Sequence, residues 1–503
     1  MRKQVQRALT LSIVLLALGT AGCGQKAAES VETTAGRGSS ASADSTVAQA
    51  DAAGEAPEQV TVLIDYLHSP RETVEEQTGL AGTLEEKYRN PDWAAIPEVQ
   101  DSAFPGLHRA VQAYMAEQSA ALKAFSAEHQ MNSDARYAGD VQLCRSDSRY
   151  LSFVRGTEDV IANAAGYTYD SQTGERLKLT DVITDEGQFD SALDAALRER
   201  DKAKLAEATK LAYRGDQLVW ALGNEGLELY LSDPDSAYLF TRVVLSYERF
   251  PDLFPAAVRQ RPAQYVAALA AGGESRLDGK TLLCKMVDTN GPFFVSLDGQ
   301  EVSTKIAAGT GELDALLFAK TDEGDYLYAS FIDDASDRWT FWELNLQTGE
   351  TSTDFGIPLG STGFNLQNAV NPESISLFTW RDTLSTLPAD FSMAVRTGGR
   401  LEVLDAPYSF IGAEQLRSKQ AFTFPVVQAG KETGETMEVP ADSRYYFVAS
   451  DGMSYVDFKL DGGQTVRVKI KRVGKAAAES SARWELENQT PEGAAFSGIS
   501  YGG

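Results

Sequence analysis

The side chains able to do chemistry are few in type. The chain of 503 residues has three histidines, His68, His108 and His129, and three cysteines, Cys23, Cys144 and Cys284. A zinc hydrolase helix places two histidines four residues apart beside a glutamate, and a metal-dependent deacetylase groups an aspartate with paired histidines. The spacing here meets neither requirement. No nucleophile elbow set between a strand and a helix and no phosphate-cradling P-loop is read, so acyl transfer on an α/β-hydrolase sheet and P-loop nucleotide chemistry lack their usual signatures. Carboxylates remain, because a glycosidase pair assembled in space from 72 Asp and Glu would leave no spacing to find. Asp233 and Asp235 in Ser232-Asp-Pro-Asp-Ser236, and Asp333, Asp334 and Asp337, are acid clusters of the kind that bind calcium. Neither has the glycine and closing glutamate of a full calcium loop, so both are read as solvated turns. No catalytic residue, metal or cofactor is assigned.

Charge and the first residues bound the partners and the address. With 46 Lys+Arg the net charge is -26, a surface that repels phosphate backbones, so nucleic acid is not an expected partner. Arg2, Lys3 and Arg7 precede an apolar run from Ala8 to Leu18, which reads as an export signal. The run is shorter than the roughly 20 residues a spanning helix needs. Ala21 and Gly22 before Cys23 resemble the lipobox of bacterial lipoproteins, with Thr20 where leucine is usual. That resemblance implies removal of residues 1–22, acylation of Cys23 and lipid anchoring, extracytoplasmically, to the bacterial cell membrane. A plain secretory signal is the alternative.

The elements that would position any site follow in order. Residues 23–58, rich in Ala, Ser, Thr and Gly, read as a flexible tether too poor in apolar side chains to offset its ordering entropy. Residues 59–272 read as an α+β domain, an antiparallel sheet packed with helices. Leu107, Val111, Tyr114, Leu122 and Phe125 recur at helical spacing from about Pro105 to His129, and a second helix is expected from about Glu186 to Tyr213. Strands are expected at 141–144, 150–155, 167–170, 176–179, 217–221, 227–231 and 242–246, with Gly174 in a left-handed turn position. Beyond these the pattern turns all-β. Gly299, Gly349 and Gly399 place a turn every 50 residues, which predicts a propeller-like β-repeat region over 273–412. Residues 413–503 read as a small β domain or a further repeat. Cys144 and Cys284 are read as two buried thiols, although export would permit a disulfide.

Four segments occur in the order of a known family: Arg145-Ser-Asp-Ser-Arg-Tyr-Leu-Ser-Phe153, Tyr169-Asp-Ser-Gln-Thr-Gly-Glu-Arg-Leu-Lys-Leu-Thr-Asp-Val182, Trp220-Ala-Leu-Gly-Asn-Glu-Gly-Leu-Glu-Leu-Tyr230, and Val244-Leu-Ser-Tyr247 with Leu253-Phe254. Residues 59 to 258 thus resemble RsiV-type extracytoplasmic domains. That family includes the lysozyme-sensing part of an anti-sigma factor and the non-catalytic N-terminal part of some peptidoglycan deacetylases. The Gly-Gly-Ala-His segment that many members carry is here Asn163-Ala-Ala-Gly166. The resemblance implies a surface-anchored, non-catalytic protein that binds or senses an envelope-associated ligand, a basic protein such as lysozyme or the peptidoglycan glycan itself. Within it, Asp233, Asp235 and Tyr238 are expected to form an exposed ligand contact. A cell-wall glycan hydrolase using a carboxylate pair is the alternative.

Overall fold

The computed structural model describes residues 58–69, 74–78, 83–87, 92–128, 138–157, 164–233, 240–269, 274–286, 293–303, 312–333, 338–352, 362–365, 369–404, 407–410, 415–473 and 483–499. The first sheet has five strands in the order Val62–Ser69, Asp92–Val99, Ala138–Ser146, Tyr150–Thr157, Ala165–Asp170. Its one parallel pair joins Asp92–Val99 to Ala138–Ser146, because the helix Pro105–Glu128 between them carries the chain back over the sheet. That helix turns Leu107, Val111, Tyr114 and Leu122 inward. The Tyr114 ring stands edge-on to Phe153 at 5.1 Å and to Tyr167 at 4.8 Å, each contact worth about 0.5–1.5 kcal/mol beyond burial. Its first turn rests on the Thr-Gly turn: a Cβ on Gly106 would lie 2.5 Å from the Thr173 carbonyl oxygen, and Gly174 has φ +75°.

A second sheet, Val219–Leu222, Gly226–Ser232 and Phe240–Ser246, carries the helix Glu186–Glu199. Phe189, Ala192, Leu193, Ala196 and Leu197 line the buried side of that helix. The single helix expected to reach Tyr213 is interrupted. Arg200 leaves helical geometry and Asp201 takes φ 55°, after which a short 3-10 turn at Ala203–Leu205 leads into the helix Ala206–Arg214. Arg176–Leu179 likewise forms no strand, since Arg176 makes only an isolated bridge to Tyr169.

The expected fold class, an α+β domain followed by a propeller-like repeat, is overturned. The described residues are mostly β, in several sheets, and no separate α domain is evident. Gly299, Gly349 and Gly399 do take φ of 78°, 73° and 81°. The strands around them nevertheless join unequal sheets of four, five and thirteen strands, which equal blades would not do. The largest sheet pairs Tyr408 with Ser450 and Ala389 with Phe410, so its ladder crosses residue 412 without a break. One aromatic core, including Phe410, Phe422, Tyr445, Phe458 and Phe496, fills it.

Candidate functional site

The Trp220–Tyr230 segment supplies a hairpin whose polar side chains turn inward. Glu228 accepts Nε and Nη2 of Arg242, each at 2.7 Å, and the Tyr230 hydroxyl at 2.9 Å. Arg242 also donates to the Ala268 carbonyl at 3.0 Å, and Asn224 Nδ2 donates to the Val266 carbonyl at 2.8 Å. Both bonds tie the second sheet to the strand Tyr265–Ala268. The Cys144 sulfur lies 3.7 Å from the Tyr230 hydroxyl. Burial, reinforced by the Glu228 charge, pushes that thiol far above its usual range. These groups hold the fold, and among them only Asn224 Oδ1 is left without a hydrogen-bond partner.

Glu225, at the tip of the same hairpin, is different. It is 5% exposed, and its Oε2 has no hydrogen-bond partner. Burial raises its carboxyl above the usual range, against the opposing pull of Arg242 and a hydrogen bond with Ser275.

Glu225 forms part of the wall of a cleft of about 750 Å³. The end of the helix Glu186–Glu199, the strand Phe240–Ser246, Arg249 and the strand Glu274–Leu277 supply the rest, and every lining residue except Ala196 and Val244 is polar. Most charges here are already matched. Arg249 forks onto both carboxylate oxygens of Glu199, and Arg276 places Nε and Nη2 on Glu274 Oε1 at 3.0 and 2.9 Å. Lys202 reaches Asp233 at 2.6 Å. Arg200 and Asp201 are the exceptions: neither joins a salt bridge among the described residues, and the Arg200 guanidinium donates to the Arg242 carbonyl at 3.2 Å. Burial and the Arg242 charge lower its pKa. The cleft thus offers an incompletely used donor fork and an incompletely used carboxyl among largely pre-paired charges, groups able to donate and to accept hydrogen bonds.

The expected exposure of Asp233 is corrected here. Asp233 is fully buried, ion-paired to Lys202 and hydrogen-bonded by the Thr241 hydroxyl at 2.7 Å; those two hydrogen bonds hold its carboxyl below the usual range. It anchors the strand end and presents no charge to a partner. Asp235 and Tyr238 lie outside the described residues, as do Cys23, His129, Asp334 and Asp337. His108 is spent on the Asp101 carbonyl at 3.0 Å. Cys144 and Cys284 are separate, buried, free thiols. Among the described residues no cluster of three or more His, Cys, Asp or Glu is placed to hold a metal, and no helix is long and apolar enough to cross a membrane. A Gly-x-Ser-x-Gly match, Gly498 to Gly502, follows the strand Phe496–Ser497, and its Ser500 lies outside the described residues. Sequence reasoning missed Arg200, Glu225, Glu274 and Arg276 as a group. The one available signal was Glu225 within the third family-like segment.

No family model matches the chain, and no curated protein matches it. Among solved structures, the crystal structure of a DUF3298 family protein from Pseudomonas aeruginosa PAO1 is similar at 13% sequence identity and a TM-score of 0.25, covering 40% of this chain and 97% of that chain.

Proposed function

We propose that this chain is an extracytoplasmic protein, lipid-anchored to the bacterial cell membrane through Cys23, that binds or senses an envelope-associated ligand without transforming it. The observation that carries the reading is the polar cleft in which Arg200 and Glu225 keep unused hydrogen-bonding capacity while most of their charged neighbours are ion-paired. Its volume suits a fragment-sized polar ligand. Peptidoglycan, with hydroxyls, amides and carboxylates on one strand, has that chemistry. A basic protein such as lysozyme is the second candidate partner, supported by the net charge of -26 and the RsiV-type segments. The same charge argues against nucleic acid.

The glycan hydrolase alternative draws on one observation, the raised carboxyl of Glu225, which is what a general acid needs. Against it, the neighbouring carboxylates of Glu199 and Glu274 are each held by an arginine, which suits neither a nucleophile nor a base and leaves Asp201 as the cleft's other unpaired carboxylate. One experiment separates the readings: calorimetric titration of the full chain with soluble peptidoglycan fragments, followed by mass analysis of the mixture. Saturable binding with intact fragments is the expected result. New reducing ends that disappear in Glu225→Gln would establish the hydrolase instead.

A further inference from the structure

A second cleft, of about 480 Å³, opens at the other end of the helix Glu186–Glu199. Gly187, Gln188, Ser191 and Ala192 of that helix line it, together with Phe250 and the turn that follows. Ala196 and Glu199 of the same helix line the first cleft, and Arg249 belongs to the walls of both. From Gly187 to Glu199 the helix runs ~18 Å. The guanidinium of Arg249 lies 4.9 Å from the Phe250 ring centroid, so the bidentate pair with Glu199 and the half-buried aromatic stand between the two clefts.

We infer that the two clefts form one ligand tract along this helix and that its occupant is an oligomeric peptidoglycan strand of several sugar units. The inference rests on the binding reading above and specifies the length of the ligand. The first cleft, with Arg200, Glu225 and Arg276, takes the most polar unit. The second offers Phe250, whose ring carries the Arg249 guanidinium on one face, as an apolar contact for a sugar ring, with Gln188 and Ser191 as hydrogen-bonding groups beside it. Arg249, fixed by Glu199, sits at the junction, where a linkage between units passes. A ligand long enough to occupy both clefts gains contacts without a second association cost, so affinity climbs with length until the tract is full.

The test measures the affinity of the full chain for soluble peptidoglycan fragments of increasing length, starting from the disaccharide unit. Wild type is expected to bind the longest fragments at least about tenfold more tightly than the disaccharide unit. Ser191 is exposed on the helix, and Ser191→Trp, which fills the second cleft, is expected to abolish that gain. Phe250→Ala is expected to reduce the gain. Affinity that ignores length, or a length gain that survives Ser191→Trp, overturns the single tract while the binding reading stands. Failure of every fragment to bind overturns that reading and the tract with it.

Discussion

Arg145 donates its Nε proton to Oδ2 of Asp147 at 2.6 Å, and both side chains are wholly buried. The remaining arginine donors reach the Val258 carbonyl at 2.8 Å and the Gln260 carbonyl at 2.5 Å, while Asp147 Oδ1 accepts the backbone N–H groups of Arg149 and Tyr150 at 2.8 and 3.0 Å. The first of the family-like segments is therefore a clip between the first sheet and the segment leading to Tyr265. Its role is to hold the frame on which the cleft is built.

Breaking that clip from one side leaves a buried charge uncompensated. Arg145→Met is expected to destabilise the protein by about 3–5 kcal/mol. The double variant Arg145→Met, Asp147→Asn is expected to lose less than the two single losses combined. Chemical denaturation checks both, and a single-variant loss below about 1 kcal/mol would mean that the pair is not holding the segments together.

Asp233 yields a stability prediction where the sequence suggested a binding one. Its carboxyl is held below the ordinary 3.8 by Lys202 and Thr241. The contribution is therefore present above that pH and is lost as pH falls through the depressed folded value. Asp233→Asn is expected to lower Tm at neutral pH and to converge on wild type in strong acid. A melting series over pH reads the difference, and equal Tm at pH 7 would refute the anchoring role.

Glu343 produces the opposite slope. It is 5% exposed, and burial pushes its carboxyl from the ordinary 4.5 to about 7, outweighing the Leu401 N–H and the Arg400 charge that favour ionisation. The folded state holds this proton more tightly than the unfolded chain, so stability falls as pH rises from 4.5 to about 7 and then levels. Solvent screening limits the fall to about 1–2 kcal/mol. Glu343→Gln is expected to remove that component, seen as a urea midpoint that falls less with pH in the variant than in wild type across the window. An unchanged slope would contradict the assignment.

The elements that could be read from sequence were the locally determined ones. The helix Pro105–Glu128 was visible because proline opens it and apolar residues recur on one face. Gly174 was visible because only its backbone tolerates that turn cheaply. The break after Glu199 was hidden because apolar residues resume at Leu205 in a rhythm that continues the helix, while Asp201 carries the chain through a left-handed turn. The Thr-Gly turns fixed local reversals at Gly349 and Gly399 but carried no information about which strands pair beyond them, and the Tyr408–Ser450 pairing lies outside any local pattern. Ser232-Asp-Pro-Asp-Ser236 has the composition of a solvated turn, and nothing local reveals that Lys202 meets Asp233. Arg200, Glu225 and Glu274 come together only through the packing of one helix and two strands, so their shared cleft had no sequence spacing to betray it.

The most direct measurement of the central claim is photo-crosslinking of the full chain with a soluble peptidoglycan fragment carrying a photoreactive group, followed by peptide mapping. The cleft predicts saturable labels within residues 196–202, 244–249 and 274–276, competed by unlabelled fragment and strongly reduced in Arg200→Ala. Labels that concentrate elsewhere, or that neither saturate nor respond to competitor, would contradict it.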